Sequence, residues 1–378
     1  MRQRPDDRSS ALRLALAAAG FTLVFVLVMA AKQGGPQWFV HFGRVDSTIT
    51  PYARQVLGND LVTPADQGTD GQTFWLLARD PLLVHTDVVS TYADRPVYRA
   101  QRVLYPLVAS PWRALGEDAL FWGLVLTNVA LIGLGTYWTT RLAQQMGAPS
   151  RAGLAFVLNP GVLAGLMLDG SDVLAVALVI GGVLAWQRKR LGWAALAFVG
   201  AALAKEVTLL APAALFVVSI RRSPRAAFTV AVPPALAAGL WGLYTRARLG
   251  TSETKVQEFT TPLYGFLDSW QRSWQPFHDY GNALIAMVLL ATMVAAVVLW
   301  WLERRSAIAD VAAVAVPFAL VFPFLSAQVI ALPSNSMRAA APAITLVMLV
   351  AYARMQRGRD ARARARKRTP ATPSPQVA

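Results

Sequence analysis

Three arginines spaced four and three residues apart, Arg95, Arg99 and Arg102, are the first side chains whose pattern indicates chemistry. If residues 97–105 form a helix, Arg95 lies near its start and the other two point the same way. A guanidinium group presents a planar fork of donors, so a cluster of three suits a phosphate. The alternative is that these side chains extend towards lipid phosphates at a membrane surface. Under both interpretations the spacing predicts contact with a phosphate group.

Asp70 lies upstream of the arginines, just before a run of helical character at residues 73–79. In that place an aspartate can be the N-cap of the helix, and Asp80-Pro81 would then end it. The surrounding residues 32–118 hold nine acidic and eight basic side chains and are far longer than a connection requires. Long loops of this kind are usually functional, so a role in chemistry stays open for Asp70 beside helix capping.

The chain that must position these side chains has the composition of a membrane protein. Of its 378 residues, 55% are hydrophobic and only 15% are charged, well below the charged share of a soluble protein. The apolar excess excludes disorder for most of the chain, and the lack of cysteine excludes disulfides and cysteine-bound metals. Ten apolar runs are candidate spans, centred near residues 11–31, 119–140, 152–168, 172–187, 191–204, 207–220, 226–245, 282–302, 307–330 and 339–353.

We therefore predict an all-α, polytopic membrane protein with about ten transmembrane helices, forming one domain over residues 1–355. Four of the runs are shorter than the about 20 residues that an upright span needs. Two pairs of short runs meet at polar breaks, residues 168–172 and Lys205-Glu206. Each pair is either a hairpin whose tip lies below the outer surface or one span divided in error.

The basic residues define the predicted topology. With the N-terminus inside and ten alternating spans, the cytoplasmic segments hold 22 basic and five acidic residues. This agrees with the positive-inside rule, so both termini are expected in the cytoplasm and the formal charge of +15 is assigned to the anionic inner leaflet. The basic tail, residues 356–378, is expected to be disordered, and no nucleic-acid partner is predicted. Thirty-one arginines against five lysines suggest a bacterial gene of high GC content.

A second long outer loop, residues 246–281, contains an aromatic stripe. Phe266, Trp270 and Trp274 recur every four residues and Phe277 follows three residues later, which indicates an amphipathic helix at the membrane interface. The stripe is typical of an aromatic belt, and it could also form a platform for a lipid chain or an acceptor sugar. The three histidines, His41, His85 and His278, are too scattered to indicate a metal site.

Several motifs resemble one family. The order GTDGQTFWLLARDP at residues 68–81, then YRAQRVLYPL at residues 98–107, then a membrane span, is similar to the GT-C superfamily of glycosyltransferases. That architecture is shared by GPI and other polyprenyl-phosphate-dependent mannosyltransferases. Further similarity lies in Leu158-Asn159-Pro160 followed by Asp169 and Asp172, in Ala204-Lys205-Glu206-Val207, and in residues 336–342 around Arg338. The resemblance extends over most of residues 10–355, and the first-loop motifs are its specific part.

The resemblance implies transfer of a sugar at the outer face from a polyprenyl-phosphate-sugar donor rather than from a nucleotide sugar. Asp70 matches the essential acid of the family and is the expected general base, because an attacking hydroxyl must lose its proton. Cations are expected to stabilise the departing phosphate. The full set of expected substrate-binding residues is Gln72, Arg79, Asp80, Arg95, Tyr98, Arg99, Arg102, Asp169, Asp172, Lys205, Glu206 and Arg338. A divalent cation, Mg²⁺ or Mn²⁺, could also bind, but no metal ligands are assigned.

Simpler interpretations remain for three of these sites. Lys205-Glu206 could be a solvated hairpin tip, Asp169 could cap the helix near Ser171, and Arg338 could anchor the last span at the interface. The function expected from the resemblance is transfer of a mannose-like hexose or a pentose, with inversion, to an extracytoplasmic lipid, glycan or protein at the bacterial inner membrane. The alternatives are a transporter or flippase, and a catalytically silent scaffold for envelope assembly.

Overall fold

The computed structural model describes residues 5–58, 60–250, 259–273 and 281–368, of which 79% are helical. The first nine α-helices are α1 (Pro5–Gln33), α2 (Gln37–Val40), α3 (Thr50–Leu57), α4 (Asp70–Arg79), α5 (Thr86–Tyr92), α6 (Pro96–Ala100), α7 (Leu104–Ala109), α8 (Glu117–Gln145) and α9 (Pro160–Met167). The others are α10 (Asp172–Gln187), α11 (Leu191–Ala204), α12 (Leu210–Ser219), α13 (Pro224–Leu249), α14 (Tyr264–Ser273), α15 (Gly281–Glu303), α16 (Ala309–Leu320), α17 (Ala327–Ala331) and α18 (Pro333–Arg368).

The all-α, membrane-type fold is confirmed, but a count of about ten spans is not. Within the described ranges, five helices are long and apolar enough to cross a membrane, namely Arg8–Gln33, Glu117–Gln145, Pro224–Leu249, Ala283–Glu303 and Pro333–Arg364. Four shorter apolar helices accompany them: Asp172–Gln187, Leu191–Ala204, Glu206–Ser219 and Ala309–Phe324. The long helix α8 packs against α1 and α10, and α18 packs against α9 and α16.

The polar breaks predicted near residues 168–172 and at Lys205 are true helix ends. Helix α9 stops at Met167 and α10 begins at Asp172, while α11 stops at Ala204 and a 3₁₀ helix follows at Glu206–Leu209. Asn159 begins α9 by accepting a hydrogen bond from the Gly161 N–H at 2.8 Å, and Pro160 fits the first helical position because its missing N–H would have no partner there. The short helices therefore end where charged side chains stand.

A continuous span over residues 307–330 was expected, and this expectation is wrong. Helix α16 ends at Leu320, a 3₁₀ turn occupies Phe322–Phe324, and α17 begins again at Ala327. Pro323 has no N–H to continue the helical hydrogen-bond ladder, so the chain turns at this point. The irregular segment places apolar side chains beside the start of α18.

Residues 32–118, the first long loop, fold into short helices and a small sheet. Strands β1 (Gly43–Asp46) and β2 (Ala65–Gln67) pair in parallel, an element that the sequence did not predict. The expected helix over residues 97–105 is divided, because α6 ends at Ala100 and α7 begins at Leu104. The restart places Pro106 in the first turn of α7, where a residue without an N–H is tolerated.

Candidate active site

A cavity of about 560 Å³ lies where the first long loop meets the short helices and the start of α18. Its polar lining consists of Gln67, Thr69, Asp70, Arg95, Tyr98, Arg99, Arg102, Lys205, Glu206, Ser334, Asn335 and Arg338. Its apolar lining consists of Leu168, Val207, Phe259, Phe318, Val321, Leu325, Val329, Leu332 and Ala339. The cavity therefore has one strongly charged wall and one wall of aliphatic and aromatic side chains.

Asp70 is the carboxylate at the centre of the charged wall. It is the first residue of α4, and its two oxygens make ion pairs with Arg99 and Arg338, while Arg102 lies 3.9 Å away. Burial alone would raise the pKa of Asp70, but the positive charges of Arg338, Arg99 and Arg102 outweigh it and hold the pKa well below its usual value. Asp70 is therefore an ionised carboxylate surrounded by guanidinium groups.

A second carboxylate, Asp172, supports the same cluster from behind. Its side chain is only 1% exposed, and it accepts from Arg338 Nε at 2.6 Å and from Lys205 Nζ at 2.5 Å. Arg338 therefore bridges Asp172 and Asp70, using the two sides of its planar fork. This geometry fixes the orientation of Arg338 at the cavity.

The arginines of residues 95–102 each have contacts that hold them at the cavity. Arg102 donates to Glu206 at 3.0 and 3.2 Å, and Arg99 donates to Asp94 at 2.9 and 3.0 Å. The guanidinium carbons of Arg95 and Arg102 each lie 4.6 Å from the centre of the Tyr98 ring, within the range of cation–π attraction. Although the predicted helix is divided, its three arginines still converge on one site.

The start of α4 is packed too closely to admit a side chain at Gly71. A Cβ there would lie 2.7 Å from the Val40 carbonyl oxygen and 2.8 Å from the Leu168 carbonyl oxygen, both of which are backbone atoms. We expect Gly71→Ala to lower the free energy of unfolding by about 1–3 kcal/mol and, by moving Asp70, to lower turnover by about 10²-fold. Thermal unfolding and activity of the purified variant measure the two effects.

Gly192→Ala is the matched control, because a Cβ at Gly192 meets nothing within 4 Å. A melting temperature of Gly71→Ala equal to that of Gly192→Ala would contradict the close contact.

Five of the predicted substrate-binding residues do not line the cavity. Gln72 accepts from Ser47 Oγ at 2.7 Å, Arg79 pairs with Glu117, and Asp80 accepts the backbone N–H groups of Val84 and His85 at 2.9 and 2.6 Å. Asp172 contributes to the site only through its ion pairs with Arg338 and Lys205. Asp169 is fully buried beneath the cavity.

Other residues of the site were not singled out from the sequence. Asp94 is one of nine acids in residues 32–118, and its spacing of five residues from Arg99 is the sign of pairing that the sequence offers. Phe318, Val321, Leu325 and Val329 of the apolar wall fall within the expected continuous span, and Pro323 is the sign of a break there. Trp274, Phe277 and His278 lie outside the described residues.

In the part of the chain that the structure describes, no group of three or more His, Cys, Asp or Glu side chains could hold a metal ion. The acids of the cavity instead face arginine and lysine.

Comparison with known proteins gives one match. The sequence model of glycosyltransferase family 87 matches residues 104–325, more than half of the chain. This range includes Asp169, Asp172, Lys205 and Glu206, and it begins after Asp70. No curated protein and no solved structure is significantly similar to the chain.

Proposed function

Because the chain belongs to glycosyltransferase family 87, a GT-C-type family of membrane glycosyltransferases, we propose that its cavity transfers a sugar from a polyprenyl-phosphate donor. The acceptor is an extracytoplasmic lipid, glycan or protein, and the sugar is a mannose-like hexose or a pentose. Asp70 is the general base, and the surrounding cations bind the phosphate.

The observation that carries this proposal is the pairing of two unlike walls in one cavity. A lipid-linked donor has a phosphate and sugar at one end and a hydrocarbon chain at the other. Arg99, Arg102 and Arg338 offer donors to the phosphate, while side chains such as Phe318, Val321 and Val329 offer an apolar surface. A nucleotide sugar would leave that apolar wall without a matching group.

The chemical step follows from the place of Asp70 among the arginines. The acceptor hydroxyl gives its proton to the Asp70 carboxylate, and its oxygen forms a bond to the anomeric carbon. The bond between that carbon and the phosphate oxygen breaks, and its electron pair stays on the phosphate. A single displacement of this kind inverts the anomeric centre. Arg99 and Arg338 stabilise the negative charge of the leaving phosphate.

Donor binding also makes Asp70 a better base. Without a donor, Arg99 and Arg338 both pair with Asp70 and lower its affinity for a proton. A phosphate that shares these guanidinium groups weakens their hold on the carboxylate, so its pKa rises towards the usual value. The base therefore becomes effective when the leaving group is in place.

The site is proposed to face the outer side of a bacterial inner membrane, with both termini in the cytoplasm. The support is that the first-loop residues and the short helix ends meet at one end of the bundle. The other end carries a buried acid, Glu303, paired with Arg354 and Arg357 at 2.7 and 2.8 Å. Basic residues at that end agree with the positive-inside rule.

The test is transfer of labelled sugar by the purified protein in lipid vesicles. Label from a polyprenyl-phosphate sugar is expected to reach an added membrane-extract acceptor, and label from a nucleotide sugar is not. Vesicles without protein are the control. Transfer from the nucleotide sugar alone, or lipid movement across the membrane without transfer, would contradict the proposal.

A further inference from the structure

A buried polar cluster lies directly beneath the cavity and takes no part in the step described above. Asp169 stands in the turn between α9 and α10, with none of its surface exposed. One of its oxygens contacts Tyr105 Oη, and Asn128 Nδ2 donates to Asp169 at 3.2 Å and to Tyr105 Oη at 2.8 Å. Asp169 makes no ion pair with any residue in the described part of the chain. A buried carboxylate without a cation is costly, so its protonation state matters.

The hydrogen bonds of Tyr105 determine the protonation state of Asp169. The phenol oxygen lies 2.8 Å from the Leu124 carbonyl oxygen and also within hydrogen-bond distance of Asp169 Oδ1. Each of these two oxygen–oxygen contacts needs a proton between its atoms, but a phenol supplies only one. The carbonyl of Leu124 has none to give, and Asn128 already donates to the phenol from its own side. The second proton must therefore belong to Asp169.

Two further observations agree with a neutral carboxyl group. Asp169 Oδ2 is buried and, among the described residues, has no hydrogen-bond partner, a state far less costly for a neutral acid than for an anion. Burial raises the pKa of Asp169 to about 7, although hydrogen bonds from Tyr105 and Asn128 act in the opposite direction.

The turn that holds Asp169 packs against the start of α4 and against Asp172. The Leu168 carbonyl oxygen would be 2.8 Å from a Cβ on Gly71, so it bears directly on the start of α4 and hence on Asp70. On the other side, a Cβ on Gly170 would lie 2.8 Å from Asp172 Oδ2 and 3.1 Å from Arg338 Nη2. Asp169 itself has a φ of 46°, in the left-handed region that aspartate and asparagine adopt more readily than most residues.

From these contacts we infer that Asp169 is a protonated positioning residue, whose hydrogen bond to Tyr105 holds the turn that places Asp70, Asp172 and Arg338. This inference rests on the proposed function and adds to it a buried residue that fixes the charged side chains of the site in position. The groups that face Asp169 are Tyr105 from α7 and Asn128 from α8. The nearby charges of Arg338 and Asp172 are paired with each other. Loss of the proton would remove a hydrogen bond and leave a buried anion.

Infrared spectroscopy of the whole protein in lipid tests the protonation without any enzyme assay. The absorption band of a protonated carboxylic acid is expected at neutral pH in the wild type and should be missing from Asp169→Asn. Asp118→Asn, which changes an exposed acid, is the matched control and should keep the band. A band that is unchanged in Asp169→Asn would overturn the inference.

The pH dependence of stability provides a second readout with a defined sign. An acid whose pKa is higher in the folded protein stabilises the fold at low pH, and this stabilisation is lost as pH rises from about 4 to about 7. The melting temperature of the wild type should therefore fall across this range relative to that of Asp169→Asn. Parallel curves for the two proteins would contradict a raised pKa.

Turnover separates a positioning role from a need for negative charge. Turnover of the wild type should decline above about pH 7, where Asp169 loses its proton. Asp169→Asn keeps a neutral side chain of the same shape, so it should retain turnover and should not show this decline. Asp169→Ala should lower turnover by about 10²-fold, because Asp70 and Arg338 are no longer held in place. If Asp169→Ala does not fold, Tyr105→Phe removes the same hydrogen bond from the other side and should also lower turnover.

Two results of the turnover series would reject the positioning role: a folded but inactive Asp169→Asn, or full activity in both Asp169→Ala and Tyr105→Phe. If the proposed transferase activity is wrong, turnover is absent from the wild type as well. The infrared band and the melting curves then still decide whether Asp169 carries its proton.

Discussion

Replacing Asp70 by Asn is expected to lower sugar transfer by about 10²–10⁴-fold, the contribution of a positioned general base. The amide has nearly the shape of the carboxylate but cannot accept the proton of an attacking hydroxyl. Binding of a polyprenyl phosphate should become tighter, because Asp70 competes with that phosphate for Arg99 and Arg338. Transfer of labelled sugar and titration with the unglycosylated lipid phosphate measure the two effects separately.

This opposite response of turnover and lipid binding is specific to a base that is held by the phosphate-binding cations. A residue that only maintained the fold would lower both quantities when changed. Asp66→Asn is the control, since Asp66 belongs to the same loop but has a side chain that is 64% exposed and pairs with Arg44. If Asp70→Asn retains turnover, Asp70 is not the base, and Glu206, the other acid that lines the cavity, becomes the next candidate.

Replacing Arg338 by Gln is expected to damage both stability and turnover. The Arg338 side chain is 7% exposed and bridges Asp70 and Asp172. Leaving a buried charge without any partner costs about 3–5 kcal/mol, and the loss should be smaller here because Asp172 keeps Lys205 and Asp70 keeps Arg99. Loss of a donor to the leaving phosphate should also lower turnover by about 10²–10³-fold. Melting curves and transfer assays on the same preparation measure these changes.

A double variant separates the two consequences. Adding Asp172→Asn to Arg338→Gln removes the buried carboxylate that has lost one of its two cations, although Lys205 then loses its partner. The double variant should therefore recover at most part of the stability and none of the turnover. Arg357→Gln is the matched control on the same helix, since Glu303 keeps Arg354 as a partner at 2.7 Å. Turnover recovered together with stability would show that Arg338 serves the fold alone.

The convergence of the first-loop residues could be predicted because their order carries a resemblance to a family. Arg95, Arg99 and Arg102 were expected to act together, and they surround Tyr98 although their helix is divided. Arg79 and Asp80 belong to the same motif but lie elsewhere. A helix rises about 1.5 Å per residue, so the nine steps from Asp70 to Arg79 amount to about 14 Å. Helix geometry alone could therefore have excluded Arg79 from the cluster around Asp70.

The contacts between distant segments could not be read from one sequence. Arg338 meets Asp70 across 268 positions, and no local pattern encodes which of 21 acids an arginine will pair with. Asp169 and Asp172 are the same residue type at neighbouring positions, so the sequence does not distinguish their roles. Only packing separates Asp172, which faces two cations, from Asp169, which faces a phenol and an amide.

The unlike walls of the cavity have a consequence for how the two products would depart. If the cavity acts as proposed, the spent lipid carrier would leave along the apolar side chains of α16 and α17, which line one wall. The enlarged acceptor would leave past Arg95 and Tyr98, which stand on the charged wall. An acceptor of almost any bulk outside the membrane could then be extended, since its size never has to fit within the hydrocarbon.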